Sequence, residues 1–146
     1  MTFPKLDPAR VAVIEQPRSV DDVLAAAAHR LASDGTTGAA LDALRQREQM
    51  GSTAIGHGVA IPHGRMEGLA EPACALLRLD PAMEWTGGQD VDLVFALLVP
   101  TGGTQAHLQL LADVATRFDD PAIRAALRNA SDADAMRAVF EQAGEA

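Results

Sequence analysis

Apolar and polar positions change rhythm along this chain, and each rhythm predicts an element. Val11–Glu15 is a short β-branched run, read as an edge strand. From Val20 to about Ser33 the apolar positions recur with helical spacing, and Val23, Leu24, Ala27 and Leu31 fall on one stripe. Ser19, with Asp22 three residues on, supplies a start like a capping box, and Gly35 a stop. A second helix is predicted over 38–48, with Leu41 and Leu44 inward and a charged end, "RQRE". Between Met50 and Gly64 glycines punctuate short apolar pieces, a pattern of loop and strand. The runs 73–79 and 91–100 are continuously apolar and of strand length, as strands covered on both faces require. After the loop "PTGGT", Thr104 is expected to cap a helix from Gln105 to Phe118 that buries Leu108, Leu111, Ala112 and Ala115. Pro121 opens another helix at its first position, and Ser131 with Asp134 caps the last, ending near Gly144. Helices, strands and helices again, without linker or repeat, predict a single α/β domain over residues 1–146 with a sheet sandwiched between helices.

Composition narrows the function. The 146 residues are enough to bury a core without metal or disulfide. A formal charge of −8 and the absence of a basic run oppose nucleic-acid binding. Four Phe, one Trp and no Tyr leave little for stacking platforms. The one cysteine, Cys74, lies in an apolar run and is expected to be a buried thiol. No apolar stretch approaches the ~18–20 residues that cross a bilayer, and the start "MTFPKLDPAR" carries no signal-like apolar region. A cytoplasmic protein with no membrane insertion is therefore expected.

The candidate chemistry lies in "GHGVAIPHG", residues 56–64. As a dinucleotide loop it fails, because Ile61 stands where the third glycine belongs, and no Gly-Lys-Ser/Thr is present. Metal is disfavoured too. His57 and His63 are separated by an apolar piece that spans up to ~20 Å when extended, and neither His107 nor Cys74 completes a local ligand motif. A histidine nucleophile remains, against the plainer alternative of a turn histidine bonded to backbone. Pro62 stiffens the chain before His63, and Gly64 after it permits close backbone approach and a hinge. A neutral imidazole keeps one lone pair, which can attack phosphorus and hold a phosphoryl group.

The segment "REQMGSTAIGHGVAIPHGR", residues 47–65, resembles the active-site stretch of IIA domains of the bacterial phosphoenolpyruvate-dependent phosphotransferase system, in the fructose/mannitol/nitrogen-regulatory branch. "VDLVFALLVP" (91–100), "HLQLLADVA" (107–115) and "ALRNASDADAMRAVF" (126–140) are similar to later segments of that family. The resemblance implies a mixed sheet of about five strands flanked by helices. It implies that His63 accepts a phosphoryl group from the histidine phosphocarrier protein, that Arg47 lines the site, and that His107 is a second active-site imidazole. It implies no cofactor and no metal. In the first turn of its helix, at the positive end of the dipole, His107 is expected to be a neutral donor and not a second acceptor.

"GSTAIG" and "FALLVP" are most similar to the nitrogen-regulatory proteins, which implies a switch whose phosphorylation state selects partners such as transporters or sensor kinases. The alternative is a sugar-specific component that relays the group to a IIB domain. His57 stands where the family commonly has Asn or an acid, and Arg65 where Lys is common. His57, bracketed by glycines, is expected to point outward as a modifier of the site. Val59, Ile61 and Met66 are candidates for the apolar rim on which a carrier docks, with core packing the rival reading for the first two.

Overall fold

A computed structural model describes residues 6–32 and 35–143; the expected helix ends at Ser33 and Gly144 lie outside them. In chain order the elements are β1 (Val11–Glu15), α1 (Val20–Leu31), α2 (Thr37–Gln49), β2 (Ala54–Gly56), β3 (Val59–Ala60), β4 (His63–Met66), β5 (Ala73–Glu84), β6 (Asp90–Pro100), α3 (Thr104–Phe118), α4 (Pro121–Asn129) and α5 (Ala133–Ala143), with a short 3-10 turn before β1.

The six strands form one mixed sheet in the order β1-β5-β6-β3-β2, and β4 also pairs with β6. β5 and β6 run antiparallel through its centre, and β1 is the edge strand the sequence predicts. Their apolar runs alternate faces, as the two-residue strand period demands. Val94, Ala96 and Leu98 of β6 pack under α1 and α2, while Leu93, Phe95 and Leu97 pack with residues of α3, α4 and α5. Two apolar cores thus share one sheet, and the helices form layers on both sides.

One lane of this sheet is interrupted. β3 and β4 both run parallel to β6, Val59 and Ala60 opposite Leu93 and Val94, then His63 to Met66 opposite Leu97 to Pro100. Ile61 and Pro62 form the break, and the Pro62 carbonyl still accepts from the Leu97 amide at 2.9 Å. His63 therefore opens the second half of a broken strand. Before the break, the turn of the β2–β3 hairpin has φ of +57° at His57 and +79° at Gly58. Both central residues being left-handed is the mirror-image type I turn that Asn-Gly favours, so histidine here fills an asparagine-like position. The Arg128 guanidinium, paired with Asp92, donates to the His57 carbonyl and pins the turn to α4.

The helix starts differ in detail from expectation. Ser19 caps α1 as predicted, its hydroxyl accepting from the Asp22 amide at 3.0 Å, and Pro121 occupies the first turn of α4. α3 begins at Thr104 itself, with Gly103 at the cap position. Asp132, not Ser131, caps α5, accepting from the Ala135 amide at 2.8 Å. The buried stripe of α3 runs through His107, Leu110, Val114 and Phe118, while Leu108 is 61% exposed. A histidine holds the first inward position of that helix, so the apolar period starts one residue away from where the leucines place it.

Gly64 has ordinary backbone angles and is no hinge. A Cβ built there meets the Ala43 carbonyl oxygen at 2.8 Å and its carbon at 2.9 Å. β4 and α2 touch backbone to backbone, which only a residue without a side chain permits. Gly64→Ala is expected to cost about 2 kcal/mol, the usual penalty for overpacking. Urea unfolding of the variant beside the unaltered chain measures it.

Candidate functional site

α2 carries Ala40, Leu44 and Glu48 at helical spacing on its buried face. Arg47, one residue before Glu48, reaches the strand that begins at His63. The His63 Nδ1 lies 2.8 Å from the Ile61 carbonyl. A carbonyl only accepts, so the proton sits on Nδ1 and the lone pair on Nε2. Arg47 Nε donates to that Nε2 at 3.2 Å, and its Nη1 donates to the Gly51 carbonyl at 2.9 Å. Burial lowers the pKa of His63, the Ile61 bond opposes that shift, and the Arg47 guanidinium adds to it. The imidazole is thereby kept neutral with a known tautomer.

His107 stands in the first turns of α3, its amide donating to the Gly103 carbonyl at 2.8 Å. Its ring meets that of His63 edge-on, with centroids 5.8 Å apart and planes at 78°. The side chain is only 7% exposed, yet neither ring nitrogen has a hydrogen-bond partner. Leaving buried polar atoms unpaired costs on the order of 1–3 kcal/mol each, so the arrangement suits a polar group brought in from outside. Burial lowers the pKa of His107, as do the neighbouring His63 and Arg65, which keeps it neutral. The neutral ring offers one donor and one acceptor.

Arg47, His63 and His107 thus line one cavity of about 390 Å³, with Arg65 at its side. All three residues singled out in the sequence come together. The rim does not match expectation. Val59 and Ile61 are core residues and Met66 packs against the core under α1 and α2, so none of them borders this cavity. The apolar rim consists of Met50, 83% exposed, and Leu108. The sequence pattern places Leu108 on the buried face of its helix and assigns Met50 no role. His57 is exposed on its hairpin turn, as expected. Cys74 is buried, and burial pushes its thiol up to about 12.

Two buried polar residues beside the site, Glu48 and Thr53, escaped the sequence reading. Glu48, at the end of a charged run that resembles a solvated helix terminus, is 5% exposed. Its Oε1 accepts from the Thr53 hydroxyl at 2.6 Å and its Oε2 from the Thr53 amide at 3.0 Å. The only signal for its burial was its place four residues after Leu44. Among the described residues, no three His, Cys, Asp or Glu side chains gather as metal ligands, and no helix is long and apolar enough to cross a membrane.

Comparison with known proteins gives this geometry a family. A nitrogen regulatory protein of Pseudomonas aeruginosa is 44% identical over 92 residues, 62% of this chain and 60% of that protein. The chain therefore spans less than two thirds of that relative's length. The 2-O-alpha-mannosyl-D-glycerate-specific EIIABC component of Escherichia coli is 34% identical over 134 residues, which is 86% of this chain but 20% of the larger protein. The crystal structure of nitrogen regulatory protein IIA-Ntr from Neisseria meningitidis superposes with a TM-score of 0.83 at 32% identity, covering 92% of this chain and 95% of that one. Residues 5–143 match the family described as phosphoenolpyruvate-dependent sugar phosphotransferase system, EIIA 2, and to that family the chain belongs.

Proposed function

We propose that the chain accepts a phosphoryl group on Nε2 of His63 from a histidine phosphocarrier protein in the cytoplasm, and that its phosphorylation state selects its binding partners as in a nitrogen-regulatory protein. The observation that carries this reading is the tautomer of His63: Nδ1 donates to Ile61 while Nε2, with its lone pair, faces Arg47 in the shared cavity. In the transfer, Nε2 attacks the phosphorus of the donor phosphohistidine in line. The new P–N bond forms as the old one breaks. The electron pair of the old bond stays on the donor imidazole, which carries a proton on its other nitrogen and so leaves neutral, and no proton has to move. Positioning and charge stabilisation supply the catalysis. Arg47 shifts its donors from Nε2 to the phosphoryl oxygens, a charge-assisted contact. His107 offers its buried N–H to the same oxygens. The positive charge that His63 acquires on bonding phosphorus is shared through Nδ1 with the Ile61 carbonyl.

The regulatory reading draws on the nitrogen regulatory relatives. A relay reading, in which a IIB domain takes the group onward to a sugar, draws on the match to the sugar-specific EIIABC component over 86% of the chain. Label from a phosphoenolpyruvate-driven donor pair, followed by candidate IIB domains, separates them. A phosphoprotein that persists supports the switch, and a rapid chase onto a IIB domain supports the relay.

His63→Ala is expected to take up no label. The adduct on the unaltered chain is expected to be labile in acid and stable in base, and mass spectrometry reads both. Undiminished labelling of the variant would move the acceptor elsewhere.

Arg47→Ala and His107→Ala are expected to be labelled still, on His63, but about a hundredfold more slowly, the usual loss on removing one preorganised donor. Single-turnover uptake measures this, and unaltered rates in both would remove these residues from the chemistry.

The pH dependence follows from the lowered pKa of His63. The neutral imidazole reacts, and a depressed pKa keeps it neutral further into acid. With donor titration normalised out, uptake is expected to be flat from pH 8 to about the ordinary imidazole value of 6.5 and to reach half-maximum below it. A midpoint above that value would contradict a neutral buried nucleophile.

A further inference from the structure

A buried carboxylate in the last turn of a helix is doubly unfavourable. Burial penalises its charge, and the carbonyl end of the helix repels it. Glu48 is in that situation in α2 and is spent entirely on one residue, Thr53. Thr53 is in turn bonded to the strand that leads into the site, its carbonyl accepting from the Ile61 amide at 3.0 Å. The Ile61 carbonyl then accepts from His63 Nδ1. On the other side, Arg47 binds His63 Nε2 and is tethered by the Gly51 carbonyl within the turn that Glu48 and Thr53 close. The hydrogen bonds run from Glu48 through Thr53 and Ile61 to one nitrogen of His63, and from the other nitrogen to Arg47, where the main chain closes the circuit to Glu48.

We propose that Glu48 is the positioning residue of this site: through Thr53 it sets the tautomer of His63 and the reach of Arg47 from a single turn of α2. The proposal rests on His63 being the phosphoryl acceptor. Nothing in it requires Glu48 to touch the phosphoryl group. With the clamp intact, the Ile61 peptide is held at its amide by Thr53, so its carbonyl stays aimed at Nδ1 and the lone pair stays on Nε2. The turn between Glu48 and Thr53 likewise keeps the Gly51 carbonyl where it holds the guanidinium. With the clamp released, both references loosen together, because both start from the same turn.

The test uses Glu48→Gln, Thr53→Val and Thr53→Ser in the whole chain. Long-range proton–nitrogen correlation at pH 8 reports the tautomer of His63 without any donor, and single-turnover uptake gives the maximal rate and the half-saturating donor concentration. Glu48→Gln and Thr53→Val are expected to show mixed tautomers and a maximal rate lowered about tenfold or more, as small misplacements of reacting groups produce, with half-saturation within about twofold. Thr53→Ser, which keeps the hydroxyl, is expected to stay within about twofold of the unaltered chain on the same ground. A wild-type tautomer or a wild-type maximal rate in both Glu48→Gln and Thr53→Val overturns the proposal. So does Thr53→Ser failing as badly as Thr53→Val, since that would point to packing of the methyl group. Should Glu48→Gln not fold, the two Thr53 variants decide alone. Should the unaltered chain take no label, the acceptor reading falls, and the tautomer populations still decide whether Glu48 positions the ring.

Discussion

An imidazole has two nitrogens, and in His63 both are engaged before any partner arrives. One is a donor to its own chain two residues back, the other an acceptor from a guanidinium on the facing helix. The first bond fixes where the proton is and the second where the lone pair points. A histidine free to exchange tautomers and rotate would present the lone pair to an incoming electrophile only part of the time. The broken lane of the sheet, the backbone contact between β4 and α2 and the clamp below Arg47 all serve this one orientation. The arrangement carries its own tension, since the donor that orients Nε2 also occupies it. On the proposed reading Arg47 has to let go of the nucleophile as it takes hold of the phosphoryl oxygens, and Gly51 keeps the guanidinium within reach of both.

Much of this was legible in the sequence, for identifiable reasons. The central strands announced themselves because a strand buried on both faces has no polar positions to interrupt it. The edge strand and the starts of α1 and α4 rested on local rules that tertiary packing had no cause to override. Pro62 marked the stiff approach to His63, and the resemblance of residues 47–65 and 107–115 to phosphotransferase segments singled out Arg47, His63 and His107 together. A strand lane resumed after a proline was not legible, because two short pieces paired to the same partner look like loop when read alone.

The misreadings on the two helices at the site share a cause. Periodicity assumes that buried positions are apolar, and at this site two are not. His107 takes the first inward position of α3, which displaced the inferred stripe onto Leu108, and Glu48 takes the last inward position of α2, which made a buried residue look solvated. The same substitution of polar for apolar released Leu108 to the rim. Where a helix face has a charged or imidazole residue in step with its leucines, the departure from pattern is itself a pointer to chemistry.

The contact between Gly64 and α2 places unequal demands on its two sides. The atoms of Ala43 nearest the empty Cβ position are its carbonyl oxygen and carbon, which every amino acid has. The missing Cβ belongs to glycine alone. Mutational drift on the exposed face of that helix therefore leaves the spacing between helix and strand largely untouched, whereas drift at position 64, or a larger side chain in place of Ala43, whose Cβ lies 3.0 Å from the same point, changes it at once. The separation that brings a guanidinium to an imidazole is set chiefly by main-chain atoms and one small side chain, and the exposed face of α2 is left free to diverge around it.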